Sequence, residues 1–219
     1  MTSIINIGGL ESTFHLIGLA MVTIIAVLNP FGNLPQFIAM TDGIHTLLRQ
    51  KLFRNILWTA FLIVLIFLLT GSFIMQHLFR VNLDSVRVAG GLILVVMSMK
   101  SLLFSSTKKD FSDYRGLKFD ELFKRSIIPM AFPMLVGPGT LASVIVIAEE
   151  SGMFVAISAV VASFVFLFVL FHFSAMIERI LGKLVLYVLS RIALVFIVAM
   201  GIQMIIVGLR GLKVLSPLG

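Results

Sequence analysis

The chain has 219 residues, 59% of them hydrophobic and only 12% charged, with a net charge of +7 and a mean hydropathy of +1.13. A soluble domain of this length could not bury that much apolar surface, so the composition excludes one and indicates an integral membrane protein. The basic residues lie in short segments between apolar runs, which reads as a topology signal rather than a nucleic-acid-binding face. The absence of cysteine excludes disulfides and thiolate metal sites.

A spanning helix needs about 20 apolar residues. Six stretches meet this in chain order, predicting an all-α protein: 14–40, interrupted at 29–35; 56–75, without a charge; 84–104, with Arg87 and Lys100 near its ends, where long side chains can snorkel; 127–148, interrupted by Pro129, Pro133, Gly137, Pro138 and Gly139; 153–177, with His172 near its end; and 184–209, with Arg191 inside it. Residues 105–125 mix Lys108, Lys109, Arg115 and Lys118 with Asp110, Asp113, Asp120 and Glu121 and read as a solvated connector. The first thirteen residues carry no Lys or Arg, which argues against a cleaved secretory signal.

Six spans place both termini on one side, with Arg80, Arg87, Arg210 and Lys213; the other 13 of the 17 Lys and Arg fall on the opposite side. The positive-inside rule puts the richer side, including the connector, in the cytoplasm and both termini outward.

The chain also repeats itself. Pro30 and Pro35 bracket one segment and Pro133 and Pro138 another, 103 positions later, while Arg87-Val88-Ala89 is echoed by Arg191-Ile192-Ala193 at a displacement of 104. Three spans per copy means that the second copy enters the membrane from the opposite side. The expected architecture is therefore two inverted three-helix repeats, 1–104 and 126–219, joined by 105–125, with helices 1 and 4 broken near the midplane.

Proline removes a backbone donor and glycine loosens the chain, so the clusters 29–35 and 133–139 should unwind their helices. Unpaired backbone at membrane depth is tolerated only where protein or a water-filled cavity covers it. A tight kink that merely shapes packing is the plain alternative. Two clusters at matching positions favour a shared site for a zwitterion: helix restarts after Pro35 and Pro138 suit a carboxylate, and carbonyls freed before them suit an ammonium group. Its expected residues are Asn29, Pro30, Gly32, Asn33, Pro35, Gly137, Pro138, Gly139 and Thr140.

Arg87 and Arg191 read as interfacial anchors or, alternatively, as gates pairing with a carboxylate such as Asp42, Asp84 or Glu178. Ala89-Gly90-Gly91, Gly201 and Gly208 read as close helix packing, Gln203 as a packed polar group, Glu149 and Glu150 as solvated loop charges, and His172 as packed or interfacial. No metal site and no catalytic constellation are expected.

The runs NPFGNLPQF, PMLVGPGT and RVAGGLIL together resemble the MarC family of bacterial six-span proteins, also classed as neutral amino acid transporters within the lysine-exporter superfamily. The resemblance covers essentially the whole chain. It implies an inner-membrane transporter of small neutral amino acids such as glycine, alanine or serine. The family often carries an acidic residue or Asn before the first motif proline, here Asn29, a position that cannot carry a proton in this chain. Where the third span has Gly90-Gly91, the sixth has Leu194-Val195. Expected partners are a small zwitterionic substrate and membrane lipid, with no nucleic acid and no cofactor; a proton or sodium as coupling ion, and a homo-oligomer, stay open. Competing readings are export of another small solute and a non-transporting membrane scaffold.

Overall fold

The computed structural model describes residues 7–41, 44–78, 80–103, 121, 123–124 and 126–214. Most of the connector 105–125, and Asp42, lie outside the described residues. Every regular element among the described residues is helical: α1 Ile7–Leu28, α2 Pro30–Met40, α3 Thr46–Phe73, α4 Leu83–Leu103, α5 Pro138–Ser151, α6 Met153–His172 and α7 Ser174–Gly211. Wide-turn helical segments, Ile74–Leu78 and Ser126–Leu135, follow α3 and precede α5.

Five stretches among these residues are long and apolar enough to cross a membrane: Glu11–Ile38, Leu47–Phe73, Leu83–Leu103, Met153–His172 and Leu184–Gly211. The fourth expected span is missing from that set for a local reason. Ile128 and Phe132 each precede a proline, and both are extended, at φ −124°, ψ 122° and φ −134°, ψ 129°. Proline's ring clashes with a helical conformation in the residue before it. Gly137, before Pro138, is extended for the same reason, at φ −93°, ψ 170°. What remains is α5, whose 14 residues reach about 21 Å, short of the ~30 Å apolar core.

The first stretch breaks by the same rule, more narrowly than expected. Only Asn29, before Pro30, leaves the helix, with φ 43°. Asparagine tolerates this left-handed region better than other non-glycine residues. The helix restarts at Pro30 and not after Pro35, which lies inside α2. A further interruption falls within α7 at Gly182, whose φ of 72° with ψ of 162° is open only to glycine.

α5 sits at the centre. It touches α1, α3, α4 and α6, and Ala142–Ala148 form a continuous buried run. Around it, α1 packs on α6, α2 on α7, and α3 on both α6 and the segment Ser126–Leu135. One core of buried residues joins Leu28, Leu34, Leu135 and Val136, and includes Phe37, Phe53 and Phe171, whose ring centroids lie 5.6–6.4 Å apart. The most extensive contact is the antiparallel seam of α4 and α7. It runs from Asp84 against Gly211, through Gly91 against Gly201, to Arg191 on the carbonyls of Ser101 and Leu102. Outward-facing apolar side chains such as Trp58, Ile66, Phe73, Phe154 and Phe196 are exposed, as lipid-facing residues of membrane helices are.

Arg49, read from sequence only as a topology charge, also has a structural duty. Its Nη2 donates to the Thr41 carbonyl oxygen at 3.2 Å, satisfying an acceptor at the end of α2, where a cation also complements the helix dipole.

Candidate substrate site

The elements that carry the two breaks touch: α1 meets α5, and α2 meets Ser126–Leu135. The breaks are chemically unequal. At the first, the polar side chains serve the break itself. Asn29 Oδ1 accepts from the Gly32 amide at 3.2 Å, Asn33 Nδ2 donates to the Leu28 carbonyl at 2.8 Å, and Gln36 Nε2 donates to the Gly32 carbonyl at 3.0 Å. The Asn29 carbonyl accepts the amides of Gly32 and Asn33, both at 3.1 Å. Pro30 is buried at the start of α2. Much of the polarity expected to face a ligand is thus committed to repairing a helix interrupted in an apolar setting.

The second break is more open. Gly137 stands at the N-cap of α5 with no side-chain cap, its carbonyl accepting from the amides of Thr140 at 3.0 Å and Leu141 at 3.3 Å. Pro133 and Pro138 are exposed there, beside buried Leu135, Val136, Gly139 and Thr140. Thr140, 2% exposed, sits in the first turn of α5, where the positive end of the helix dipole favours negative charge.

The three expected glycines also separate. A Cβ on Gly32 would lie 2.5 Å from Asn29 Nδ2 and 2.7 Å from Ser190 Oγ, and one on Gly139 would collide with the Leu94 side chain. Both therefore serve packing. A Cβ on Gly137 would find Pro133 O at 3.5 Å and the Met97 methyl at 3.7 Å, which is ordinary contact. Gly137 alone of the three could take a Cβ without displacing a neighbour.

Ser190 and Ser143 were not singled out from the sequence. Ser190 reaches the first break from α7, and buried Ser143 donates from its Oγ to the Gly139 carbonyl at 2.9 Å. The Ser143 spacing, four residues after a glycine of an interrupted helix, was a usable signal; nothing in the sequence pairs Ser190 with Gly32.

Arg87 joins two helix ends. It binds Asp84, as the sequence suggested, at 2.5 Å and also Glu150, at the end of α5, at 2.8 Å. Glu150 is thus not simply a solvated charge. With Glu150 half exposed, this pair is worth little in stability, on the order of 0.2–1 kcal/mol. Arg191 finds carbonyls instead of a carboxylate, donating to Ser101 O at 2.5 Å and lying 4.6 Å from the Tyr187 ring centroid. The side chain of Glu178 lies outside the described residues. Gln203 is exposed rather than packed, because Met204 takes the inward position on its turn, beside Gly90.

The family model described as MarC family integral membrane protein matches residues 14–213. The UPF0056 membrane protein YvbG of Bacillus subtilis (strain 168) is 30% identical over 212 residues, covering 91% of this chain and 96% of its own. The UPF0056 membrane protein YhcE of Escherichia coli (strain K12) is 30% identical over 196 residues, covering 85% and 88%. The UPF0056 membrane protein MJ1677 of Methanocaldococcus jannaschii is 30% identical over 198 residues, covering 88% and 95%. No solved structure matches the chain. A match of this extent, on a helical architecture with five membrane-length apolar stretches, makes the chain a multi-pass member of the MarC family of integral membrane proteins.

Proposed function

We propose that this protein is a secondary transporter of small neutral amino acids, of the glycine, alanine and serine class, working by alternating access. Residues 1–104 and 126–219 form two inverted three-span repeats, and Ser126–Leu135 with α5 together make the fourth crossing in chain order. The observation that carries this reading is an exchange of contacts between halves. α1 packs on α6 as Ser126–Leu135 packs on α3, and α2 packs on α7 as α5 packs on α4. The pairs α3–α6 and α4–α7 each join one half to its counterpart. Two halves that swap neighbours in this way can rock between two similar packings around a fixed site.

Substrate sits between the breaks, with most recognition from the second. The uncapped start of α5 and Thr140 meet its carboxylate, and the region of Asn29 and Asn33 its ammonium group. Arg87 with Asp84 and Glu150 closes one face, and Arg191 on the end of α4 closes the other. The test is saturable counterflow of radiolabelled glycine or alanine in proteoliposomes. Thr140→Val keeps side-chain shape and removes the hydroxyl; it is expected to fold and to lose at least about tenfold in transport, since one charge-assisted hydrogen bond is worth about 1.5–3 kcal/mol. Asn29→Gly keeps the positive φ and removes the amide, with the same expected loss, whereas Asn29→Leu adds backbone strain of about 1–2 kcal/mol. Undiminished transport in Thr140→Val and Asn29→Gly removes this site; no counterflow by the unaltered protein removes the transporter.

Orientation is checked separately, helped by a chain without cysteine. The basic-residue asymmetry predicts that Lys213→Cys reacts with an impermeant maleimide added outside intact cells, and that Lys100→Cys reacts only after the membrane is opened. The reverse pattern inverts the topology.

A further inference from the structure

A cavity of about 380 Å³ lies between the first turns of α3 and the end of α6, away from both breaks. Its volume is within the ~300–1,000 Å³ of small-ligand sites. Lys51, Arg54 and His172 line it and are exposed, while Phe53 and Phe171 line it and are buried. No acidic residue is among its described lining. Arg49, on the same turn as Lys51, turns instead to the Thr41 carbonyl.

The apolar part of this cavity continues onto the outer surface of the bundle. Leu47, a lining residue, is 65% exposed, and Phe168, another, packs tilted against Trp58 with ring centroids 5.4 Å apart, Trp58 itself being 51% exposed. In a membrane-crossing helix, such a surface is covered by acyl chains. A soluble anion would satisfy the cations and leave the aromatic floor empty; a neutral lipid would fill the floor and leave two adjacent cations without a counter-charge.

We infer that this cavity is a binding site for an anionic phospholipid, its phosphodiester held by Lys51 and Arg54 and one acyl chain laid against Phe53, Phe168 and Phe171. The orientation proposed above assigns this lipid to the inner leaflet, but binding in detergent tests the site without reference to orientation or to transport.

The experiment measures lipid binding to the purified protein by native mass spectrometry and thermal shift, comparing dioleoylphosphatidylglycerol, dioleoylphosphatidylcholine and soluble glycerol 3-phosphate. Two interfacial cations predict a preference of about 30-fold for phosphatidylglycerol over phosphatidylcholine. Lys51→Gln with Arg54→Gln abolishes it, and each single change reduces it about fivefold, so the site remains testable if the double variant is unstable. Lys100→Gln with Lys124→Gln removes the same charge from exposed positions outside the cavity and keeps the preference. Equal binding of the two lipids overturns the inference, as does a full effect from glycerol 3-phosphate alone. Loss of preference in the Lys100/Lys124 control equal to that in the Lys51/Arg54 variant overturns it too, by reducing the effect to surface charge.

Discussion

Gly91→Val is expected to remove nearly all folded protein from detergent extracts, whereas Gly18→Val is expected to leave it untouched. A Cβ at Gly91 would lie 2.5 Å from the Gly201 carbonyl oxygen and 2.8 Å from Ile205 Cγ1. From the other side, a Cβ at Gly201 would lie 2.8 Å from the Gly91 carbonyl oxygen. The obstacle is backbone on both helices, so no rotamer change relieves it and α4 must separate from α7. Overpacking of this kind costs about 1–3 kcal/mol where side chains can yield, and more where backbone must move. The seam is also the most extensive contact in the bundle. Close approach of helix backbones at small residues is a main source of association energy inside lipid, where the hydrophobic effect offers none. Gly91→Ala should fall between the two. Gly18 has nothing within 4 Å of its would-be Cβ, which makes it a glycine-to-valine control on a lipid-facing surface. Thermal unfolding followed by size-exclusion chromatography reads the difference, and equal stability of Gly91→Val and Gly18→Val would disprove the seam.

The second large effect falls on activity and spares the fold. Gly137→Val should give a stably folded protein that has lost counterflow by at least tenfold. The backbone at Gly137 is extended, a conformation that β-branched residues favour, and its would-be Cβ meets only ordinary contacts. Stability should therefore stay within about 0.5–1 kcal/mol of the unaltered protein. The added isopropyl group, however, stands at the uncapped start of α5, where the substrate carboxylate is proposed to bind. Gly139→Ala makes the complementary comparison, since its Cβ would collide with Leu94 and destabilise α5 against α4. If Gly137→Val both folds and transports normally, recognition lies elsewhere; absence of counterflow by the unaltered protein is the separate outcome that favours the scaffold reading.

These variants separate two kinds of information in the chain. The helix interruptions were legible because their cause is local. Asn29, Ile128, Phe132 and Gly137 each precede a proline, and each leaves the helical region. The same logic exposes where the reading overshot. Leu34 also precedes a proline, yet Pro35 continues inside α2, with Gln36 Nε2 on the Gly32 carbonyl close by. A lone glycine carries no direction in sequence, and only the structure shows the break at Gly182, with its φ of 72°. Glu150 has the local sequence of a loop charge, and only the fold brings it to Arg87, 63 positions away in the chain.

Membrane residence, helical class and the positions of the breaks follow from residue chemistry over a few turns at most: apolar length against the bilayer, and proline sterics against the preceding residue. Which polar group is spent within the protein was settled by packing. Asn29 and Asn33 close their own break, Gly32 and Gly139 make room for neighbouring side chains, and Gly137 has only ordinary contacts around its would-be Cβ. That division depends on which helices meet, and helix pairing joins residues far apart in sequence through contacts that no local pattern encodes.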